Sequence, residues 1–341
     1  MTGGALALSQ VPRDAQALCE LTLAHGSRSF ALASRLLPQE MRRRAAVLYA
    51  FCRTVDDDVD LAPAGEHEAR LAALVARVRS VYRGEGQAEP IWDAFAELVR
   101  DIELPREYPE ELLLGMAMDV HGARYATLDE LLLYCHRVAG VVGLMMCHVF
   151  GVERDSALRN AAHLGIAMQL TNVCRDVAED WRLGRLYVPG SLLEGHELGS
   201  PNALPLELCP APARETLSRA VRELLHVADD FYASAEQGFG ALPARSALGV
   251  RAARHVYREI GSELCRRDCD VLAGRSVVPM RRKAVLVAQS LLESLWELPR
   301  RTRRSTYRAP SVLARFPEDI LPLATPLPLS GASPCLLSPP L

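Results

Sequence analysis

Two acidic clusters hold the residues best suited to chemistry. In the first, Asp56 and Asp60 stand four residues apart, so a helix would place both carboxylates on one face. In the second, Asn172, Asp176 and Asp180 continue the same spacing along one line. Neither line contains histidine or cysteine, and oxygen-only ligation favours Mg²⁺ over zinc or copper. The spacing predicts a magnesium site; for the first cluster taken alone, a solvated acidic face is the alternative.

Arginines accompany both clusters. Arg53 lies on the row of Asp56, Arg175 directly precedes Asp176, and a further polar segment spans residues 27–29. Magnesium in proteins usually bridges carboxylates to substrate phosphates, and arginine binds phosphate with two parallel hydrogen bonds. These residues together predict a diphosphate site in which metal-assisted ionisation leaves a carbocation in a dry apolar pocket. Taken alone, the serine segment is typical of a helix cap.

Helices must position these side chains, because apolar residues recur at three- and four-residue spacing and convincing alternating runs of β-branched residues are lacking. Ten helices are predicted, over 14–25, 39–60, 66–83, 90–102, 108–121, 128–150, 154–182, 211–238, 244–273 and 281–298. No internal repeat or change of composition divides them. The predicted fold class is therefore all-α, in one large domain.

An apolar segment at residues 138–146 combines Gly140 and Gly143 with larger aliphatic residues. Close helix packing is one interpretation, since small residues let another helix approach. The other is a channel for an apolar substrate chain. The aromatic residues Phe30, Tyr49 and Phe51 are candidates to face a developing cation, which their π-faces would stabilise.

Composition narrows the class of protein. The 341 residues carry 39 Lys+Arg against 42 Asp+Glu, so nothing in the net charge of -3 points to nucleic acid. Lys283 is the only lysine, and coding bias is the simpler explanation for the many arginines. Nine scattered cysteines without a CxxC pair argue against a disulfide framework or a zinc site and favour the cytosol. The longest apolar stretch, about 15 residues at 138–152, is short for a membrane span, which needs about 20.

The chain is expected to have three parts: a flexible N-terminus at 1–13, a helical domain at 14–299, and a tail at 300–341. The tail begins with four clustered arginines and continues with proline, leucine and serine, a composition that excludes long helices. Disorder is the simpler expectation for it. A peripheral contact between its arginines and lipid phosphates is the alternative.

The order and spacing of these motifs resemble those of the squalene/phytoene synthase family, over about residues 18–290. The markers are the segments 27–30, 49–60, 134–146, 169–180 and 184–189, and Met118-Asp119 followed by Arg124-Tyr125. Two departures stand out: Gly26 occupies a position where some relatives have histidine, and His136 replaces a tyrosine common in the family. Neither departure touches the acidic motifs, so the product is more in question than the activity.

The resemblance implies an all-helical isoprenoid synthase (class I terpenoid synthase) bundle around a central cavity, with two or three Mg²⁺ ions or Mn²⁺ as a substitute. The implied metal ligands are Asp56, Asp60, Asn172, Asp176 and Asp180. The implied contacts to substrate diphosphate are Ser27, Arg28, Ser29, Tyr49, Arg53, Gln169, Arg175, Tyr257 and Arg275. The catalytic set is Asp56, Asp60, Asp176, Asp180 and Arg53.

The activity implied by the resemblance is head-to-head joining of two prenyl diphosphates through a cyclopropyl diphosphate. Phytoene formation from two C20 units, the first committed step of carotenoid biosynthesis, is the main hypothesis. Dehydrosqualene or presqualene diphosphate formation from C15 units is the second. A catalytically silent assembly or membrane-binding homologue is a third, disfavoured because all five candidate ligands are present. Chain elongation is disfavoured because the second cluster is not a DDxxD motif, and cyclases because the Tyr134 segment belongs to the head-to-head family.

Proton loss without reduction is expected, and hence no nicotinamide cofactor. Squalene synthases, which reduce their intermediate, typically carry a C-terminal membrane helix, whereas this chain ends in a proline-broken tail. The expected partners are the prenyl diphosphates, with a peripheral membrane contact for release of the apolar product. The expected location is the cytoplasm, on the inner face of the membrane where the protein contacts it.

Overall fold

A computed structural model describes residues 14–152, 155–193, 201 and 204–297. Twelve α-helices occur in this part of the chain, and strands are absent from it, which confirms the all-α prediction. The helices are α1 (Ala15–Gly26), α2 (Arg28–Ser34), α3 (Gln39–Asp60), α4 (His67–Tyr82), α5 (Pro90–Asp101), α6 (Glu107–Val120), α7 (Leu128–Cys135), α8 (Val141–Val149), α9 (Asp155–Arg182), α10 (Ala211–Gly238), α11 (Ala244–Cys265) and α12 (Met280–Glu297). The predicted flexible N-terminus and the tail at 300–341 lie outside the described residues.

Helix α2 was not among the predicted helices. The Ser27 side chain accepts a hydrogen bond from the backbone N–H of Phe30, so the expected cap exists and starts a new short helix immediately after α1. The predicted helix at 244–273 was also wrong at its end, because α11 stops at Cys265. Asp268 and Cys269 have φ values of 56° and 57°, a left-handed backbone that an α-helix cannot contain.

Helix α9 is the axis of the fold, and α10, α8 and α11 pack around it. The chain at 136–149 also packs against α9, and in it a π-helical turn (His136–Gly140) leads directly into α8. A Cβ atom on Gly143 or Gly165 would collide with a backbone carbonyl of the other helix. Both positions therefore need glycine, as the close-packing interpretation of the apolar segment predicts.

The same segment also agrees with the second interpretation, a channel for an apolar chain, because Val138, Val142 and Met146 line a large cavity. Two clusters of buried apolar residues flank this cavity, and Phe30 packs against both. The helices thus enclose a central cavity as the family resemblance implied.

Among the described residues, one helix is long and apolar enough to cross a membrane by length and composition: Leu128–Val149, formed by α7, the π-turn and α8. The apolar stretch is thus part of a longer helix than the 15 residues identified in the sequence. It packs against α9 and α6, and more than half of its most apolar 18-residue stretch is buried. A helix packed in this way belongs to the core of the fold, and a core helix can be as long and as apolar as a membrane span.

Candidate active site

The central cavity has a volume of about 360 Å³ and is lined chiefly by apolar side chains of α1, α2, α3, α8, α9, α10 and α11. Along α9 it extends from Ala157 to Asn172, about 22 Å at 1.5 Å per residue. Tyr49, Gln169, Asn172 and Tyr257 supply polar atoms to the wall near the acidic clusters. The cavity is a slot for an apolar chain with a polar head at one end.

The carboxylates of α3 are held by arginines. Arg53 donates from Nε to Asp57 Oδ2 at 2.9 Å, and its Nη1 lies 3.4 Å from Asp56 Oδ2. Asp60 accepts from Arg185 Nη2 at 2.8 Å. Burial, and then the charge of Asp60, raise the pKa of Asp56 to about 6. The predicted pair of carboxylates is therefore present on one helix face, and its mutual repulsion is only partly relieved.

The second line lies on α9. Arg175 forms an ion pair with Asp176 at an Nε–Oδ1 distance of 2.8 Å, and Arg275 approaches the same oxygen at 3.0 Å. Burial, followed by the charge of Asp176, raises the pKa of Asp180 to about 7. Asn172 donates to Gln169 at 3.2 Å, while its own buried Oδ1 has no hydrogen-bond partner. That oxygen is available to a ligand of the site.

Asp119 lies close enough to both acidic lines for its charge to act on them. It was not among the predicted site residues. Its carboxylate accepts hydrogen bonds from the Tyr134 and Tyr187 hydroxyls at 2.9 and 2.7 Å. Burial raises its pKa, and its charge acts on those of Asp56 and Asp180. Arg185, which binds Asp60, was missed in the same way. The sequence signal existed, because both residues lie in segments that mark the family resemblance.

Of the remaining predicted residues, Tyr49 and Tyr257 line the cavity, and Ser27, Arg28 and Ser29 lie beside Phe30 at the start of α2. Phe30 stacks on Tyr257 with ring centroids 5.0 Å apart, and burial raises the pKa of Tyr257, whose side chain hydrogen-bonds to Ser27. Burial raises the pKa of Tyr49 to about 12, which keeps its hydroxyl protonated. Ser29 accepts a hydrogen bond from Lys283.

The structure contradicts one aromatic candidate. Phe51 is fully buried and stacks on Phe95 with ring centroids 3.6 Å apart, so it packs in the core. Phe30 and Tyr49 do line the cavity.

The donor set fits a hard divalent cation. Within the described part of the chain, no group of three or more His, Cys, Asp or Glu side chains is arranged to hold a metal ion. The carboxylates instead pair with arginines, as at Asp176. Three observations nevertheless favour added positive charge. Every candidate ligand atom is oxygen, and Asn172 Oδ1 lacks a partner. Burial, together with neighbouring carboxylates, raises the pKa of Asp56 and Asp180.

Comparison with known proteins agrees with this geometry. The model of the squalene/phytoene synthase family matches residues 23–282. The chain belongs to the squalene/phytoene synthase family. It is 41% identical over 249 residues to the 15-cis-phytoene synthase of Pantoea ananas, covering 70% of this chain and 79% of that protein. It is 38% identical over 278 residues to the phytoene synthase of Rhodobacter capsulatus, covering 81% of each.

Solved structures share the fold. A dehydrosqualene synthase in complex with a ligand superposes with a TM-score of 0.73 and 26% identity, covering 82% of this chain and 96% of that one. The squalene synthase HpnC of Alicyclobacillus acidocaldarius gives a TM-score of 0.64 at 24% identity, covering 74% and 94%. The latter similarity concerns the fold alone. Together they confirm the isoprenoid synthase bundle predicted from the sequence.

Proposed function

We propose that this chain is a prenyltransferase that joins two geranylgeranyl diphosphates head to head, through a cyclopropyl diphosphate, and releases diphosphate to form phytoene. The observation that carries the proposal is the apolar cavity running along α9 to two acidic helix faces. Such a cavity suits a substrate with a long hydrocarbon chain and a diphosphate head. The relatives named phytoene synthase support the C20 chain length.

The proposed metal ligands are Asp56, Asp60, Asn172, Asp176 and Asp180, for two or three Mg²⁺ ions or for Mn²⁺. When bound, the metal would neutralise charge on the departing diphosphate. Arg53 and Arg175 would bind phosphate oxygens with paired N–H groups. The other proposed diphosphate contacts are Ser27, Arg28, Ser29, Tyr49, Gln169, Tyr257 and Arg275.

The cavity wall would protect the carbocation that ionisation produces. Its lining is apolar over most of its length, which keeps out the water that would quench a cation. Phe30 and Tyr49 both line the cavity, where their π-faces would stabilise positive charge. The reaction would end by proton loss without reduction and without a nicotinamide cofactor.

Dehydrosqualene formation from two farnesyl diphosphates is the second candidate, favoured by the structural similarity to a dehydrosqualene synthase. Incubating the purified protein with Mg²⁺ and either prenyl diphosphate separates the two. Phytoene from the C20 substrate is expected, and a C30 product alone would overturn the assignment. Unchanged product formation in Asp56→Ala and Asp176→Ala would overturn the metal mechanism.

A peripheral contact with the inner face of the membrane is proposed because the product is a hydrocarbon that must leave the apolar cavity. Vesicles of anionic phospholipid should carry the full chain on flotation at low salt, and a chain lacking residues 300–341 should float less. Equal flotation of the two forms would show that the tail arginines are not responsible.

A further inference from the structure

Helix α12 has a largely polar inner face and an apolar outer face, the reverse of the usual pattern of a surface helix. On the inner face, Lys283 and Ser290 are 7% and 0% exposed, and Leu286 is buried beside them. Glu293 Oε2 forms a hydrogen bond with His255 Nε2 of α11 at 2.8 Å. Polar contacts therefore hold α12 to the body of the protein, and most of its large apolar side chains point away from it.

The outer face of α12 consists of seven exposed apolar residues within an arc of about 140° around the helix axis. They are Met280, Ala284, Val285, Ala288, Leu291, Leu292 and Leu295. The five large side chains are between 42% and 69% exposed. Among the described residues, Arg281 is the one charged residue in this arc. Soluble proteins rarely leave a contiguous apolar surface of this kind uncovered, so the outer face is expected to meet a partner.

Positive charge flanks the outer face at both ends. Arg281 lies in the first turn of α12, and the four arginines between 300 and 304 follow the end of the helix at Glu297 by three to seven residues. Of the seven residues of the outer face, none is acidic. A helix that lies in the surface of an anionic membrane has this composition, because its apolar side chains meet acyl chains while its arginines meet lipid phosphates.

A second copy of the chain fits the outer face less well than a lipid surface. Parallel pairing of two α12 helices would place Arg281 of one copy against Arg281 of the other. Antiparallel pairing would bring Arg281 toward the arginines that follow α12 in the other copy. Either arrangement brings like charges together, which opposes association. Anionic phospholipid would instead neutralise both ends of the helix.

The outer face also lies close to the cavity. Helix α12 packs on α11, and α11 lines the cavity with Gly249, Val250, Ala253 and Tyr257. A membrane that touches the outer face would therefore lie two helix layers from the slot proposed to hold the hydrocarbon.

We propose that the outer face of α12 inserts into the surface of a membrane that contains anionic phospholipid. The proposal rests on the proposed function, which calls for a membrane contact, and it names the surface that makes this contact. The arginines supply an attraction that salt screens. The seven apolar residues supply burial in the acyl region, which does not depend on charge.

Flotation of the full chain with anionic phospholipid vesicles in 0.5 M NaCl tests the apolar contact, because this salt screens the arginines. The parent should float, and Leu292→Asn should bind at least tenfold more weakly, since a leucine side chain is lost from the acyl region. Leu208→Asn is the matched control: Leu208 is 67% exposed but lies between α9 and α10. It should float like the parent. No flotation of the parent, equal binding by Leu292→Asn, or an equal loss in Leu208→Asn would overturn the proposal.

Two other occupants of the outer face would give different results. If residues 300–341 cover it in the free protein, their removal should increase binding to vesicles in 0.5 M NaCl, whereas the proposal expects no increase. If a second copy covers it, light scattering should give a dimer for the parent and a monomer for Leu292→Asn, whereas the proposal expects the same mass for both. Increased binding in the first test, or dissociation in the second, would overturn the assignment to lipid.

Product formation in detergent separates this inference from the proposed function. Leu292 lies outside the cavity lining and is 69% exposed, so Leu292→Asn should fold and form product at the parent rate. If no form of the chain converts a prenyl diphosphate but Leu292→Asn fails to float, the proposed function fails and the membrane surface stands. If product forms and Leu292→Asn floats like the parent, the membrane surface fails and the proposed function stands.

Discussion

Asp176→Asn tests the charge of a single carboxylate in the site. The Asp176 side chain is 16% exposed and is paired with Arg175. Asparagine keeps the volume and one carbonyl oxygen but removes the negative charge. Two unit charges 4 Å apart interact by about 4 kcal/mol at the effective dielectric constant of such sites. If that charge acts on the transition state, its loss should lower kcat/KM about 1000-fold.

The assay is product formation from geranylgeranyl diphosphate at saturating Mg²⁺, followed by chromatography of the hydrocarbon. Asp229→Asn is the matched control, because Asp229 is also held by an arginine, Arg258 at 2.7 Å, but is 47% exposed. An exposed ion pair contributes at most about 1 kcal/mol to the free energy of folding, so this variant should stay folded. Its kcat/KM should lie within twofold of the parent value. More than a tenth of the parent activity in Asp176→Asn, or equal losses in both variants, would refute the reasoning.

Stability distinguishes a chemical role from a structural one. Asp176→Ala leaves the Arg175 side chain, which is only 15% exposed, without its closest counter-charge. Breaking a buried pair in this way typically costs about 3 kcal/mol, which a urea titration would detect. Asp176→Asn keeps a hydrogen-bond acceptor for Arg175, so its free energy of unfolding should lie within about 1 kcal/mol of the parent value. The activity loss in the asparagine variant then reports on charge.

Three further outcomes are expected. EDTA should abolish product formation, and added Mg²⁺ should restore it. Gly165→Ala should lower the unfolding free energy by about 2 kcal/mol in urea titrations, because its Cβ would meet the Ala139 carbonyl. Burial, and then the charge of Arg137, lower the pKa of His136 to about 4. Its unfolded pKa is about 6.5, so the unfolded chain binds more protons between these values, and stability falls as pH falls. His136→Asn should therefore lose about 3 kcal/mol less stability than the parent between pH 6.5 and 4.

Each of these outcomes has a contrary result. Full activity in EDTA would remove the metal from the mechanism. Unchanged stability of Gly165→Ala would mean that α8 and α9 separate without cost, whereas Gly240→Ala, which has open space around it, should be neutral as a control. Identical pH profiles for the parent and His136→Asn would show that His136 is protonated in the folded protein.

Most helices were predictable because their apolar faces repeat at the helical period. Helix α3 has the bounds expected from the sequence, 39–60, and buries residues such as Val55 and Val59 on one side. The errors arose where local chemistry overrides periodicity. Ser27 starts α2 by capping a backbone N–H, and the left-handed backbone at Asp268 ends the long helix early, although its apolar pattern continues.

The sequence predicted only those parts of the candidate site in which the residues share one helix. Asp56 and Asp60, or Asn172 and Asp176, lie one turn apart, so spacing alone places them together. Arg185 and Asp60 are 125 residues apart and meet only because the chain after α9 returns to the end of α3. No sequence period encodes such a contact. The same holds for Lys283 and Ser29.

The ion pairs of the two acidic helices fit both the free site and the substrate-bound state that we propose. Arg53 and Arg175 each bind a carboxylate that is a proposed metal ligand or lies beside one. In the proposed function, both arginines would turn to the oxygens of an entering diphosphate while the carboxylates turn to the accompanying cations. Charges are then paired before and after the exchange, which avoids the several kcal/mol that an unpaired buried charge costs. Lysine would hold a carboxylate equally well but lacks the planar pair of donors that fits phosphate. The proposed role of Arg53 and Arg175 therefore requires arginine, even in a chain whose composition already favours it.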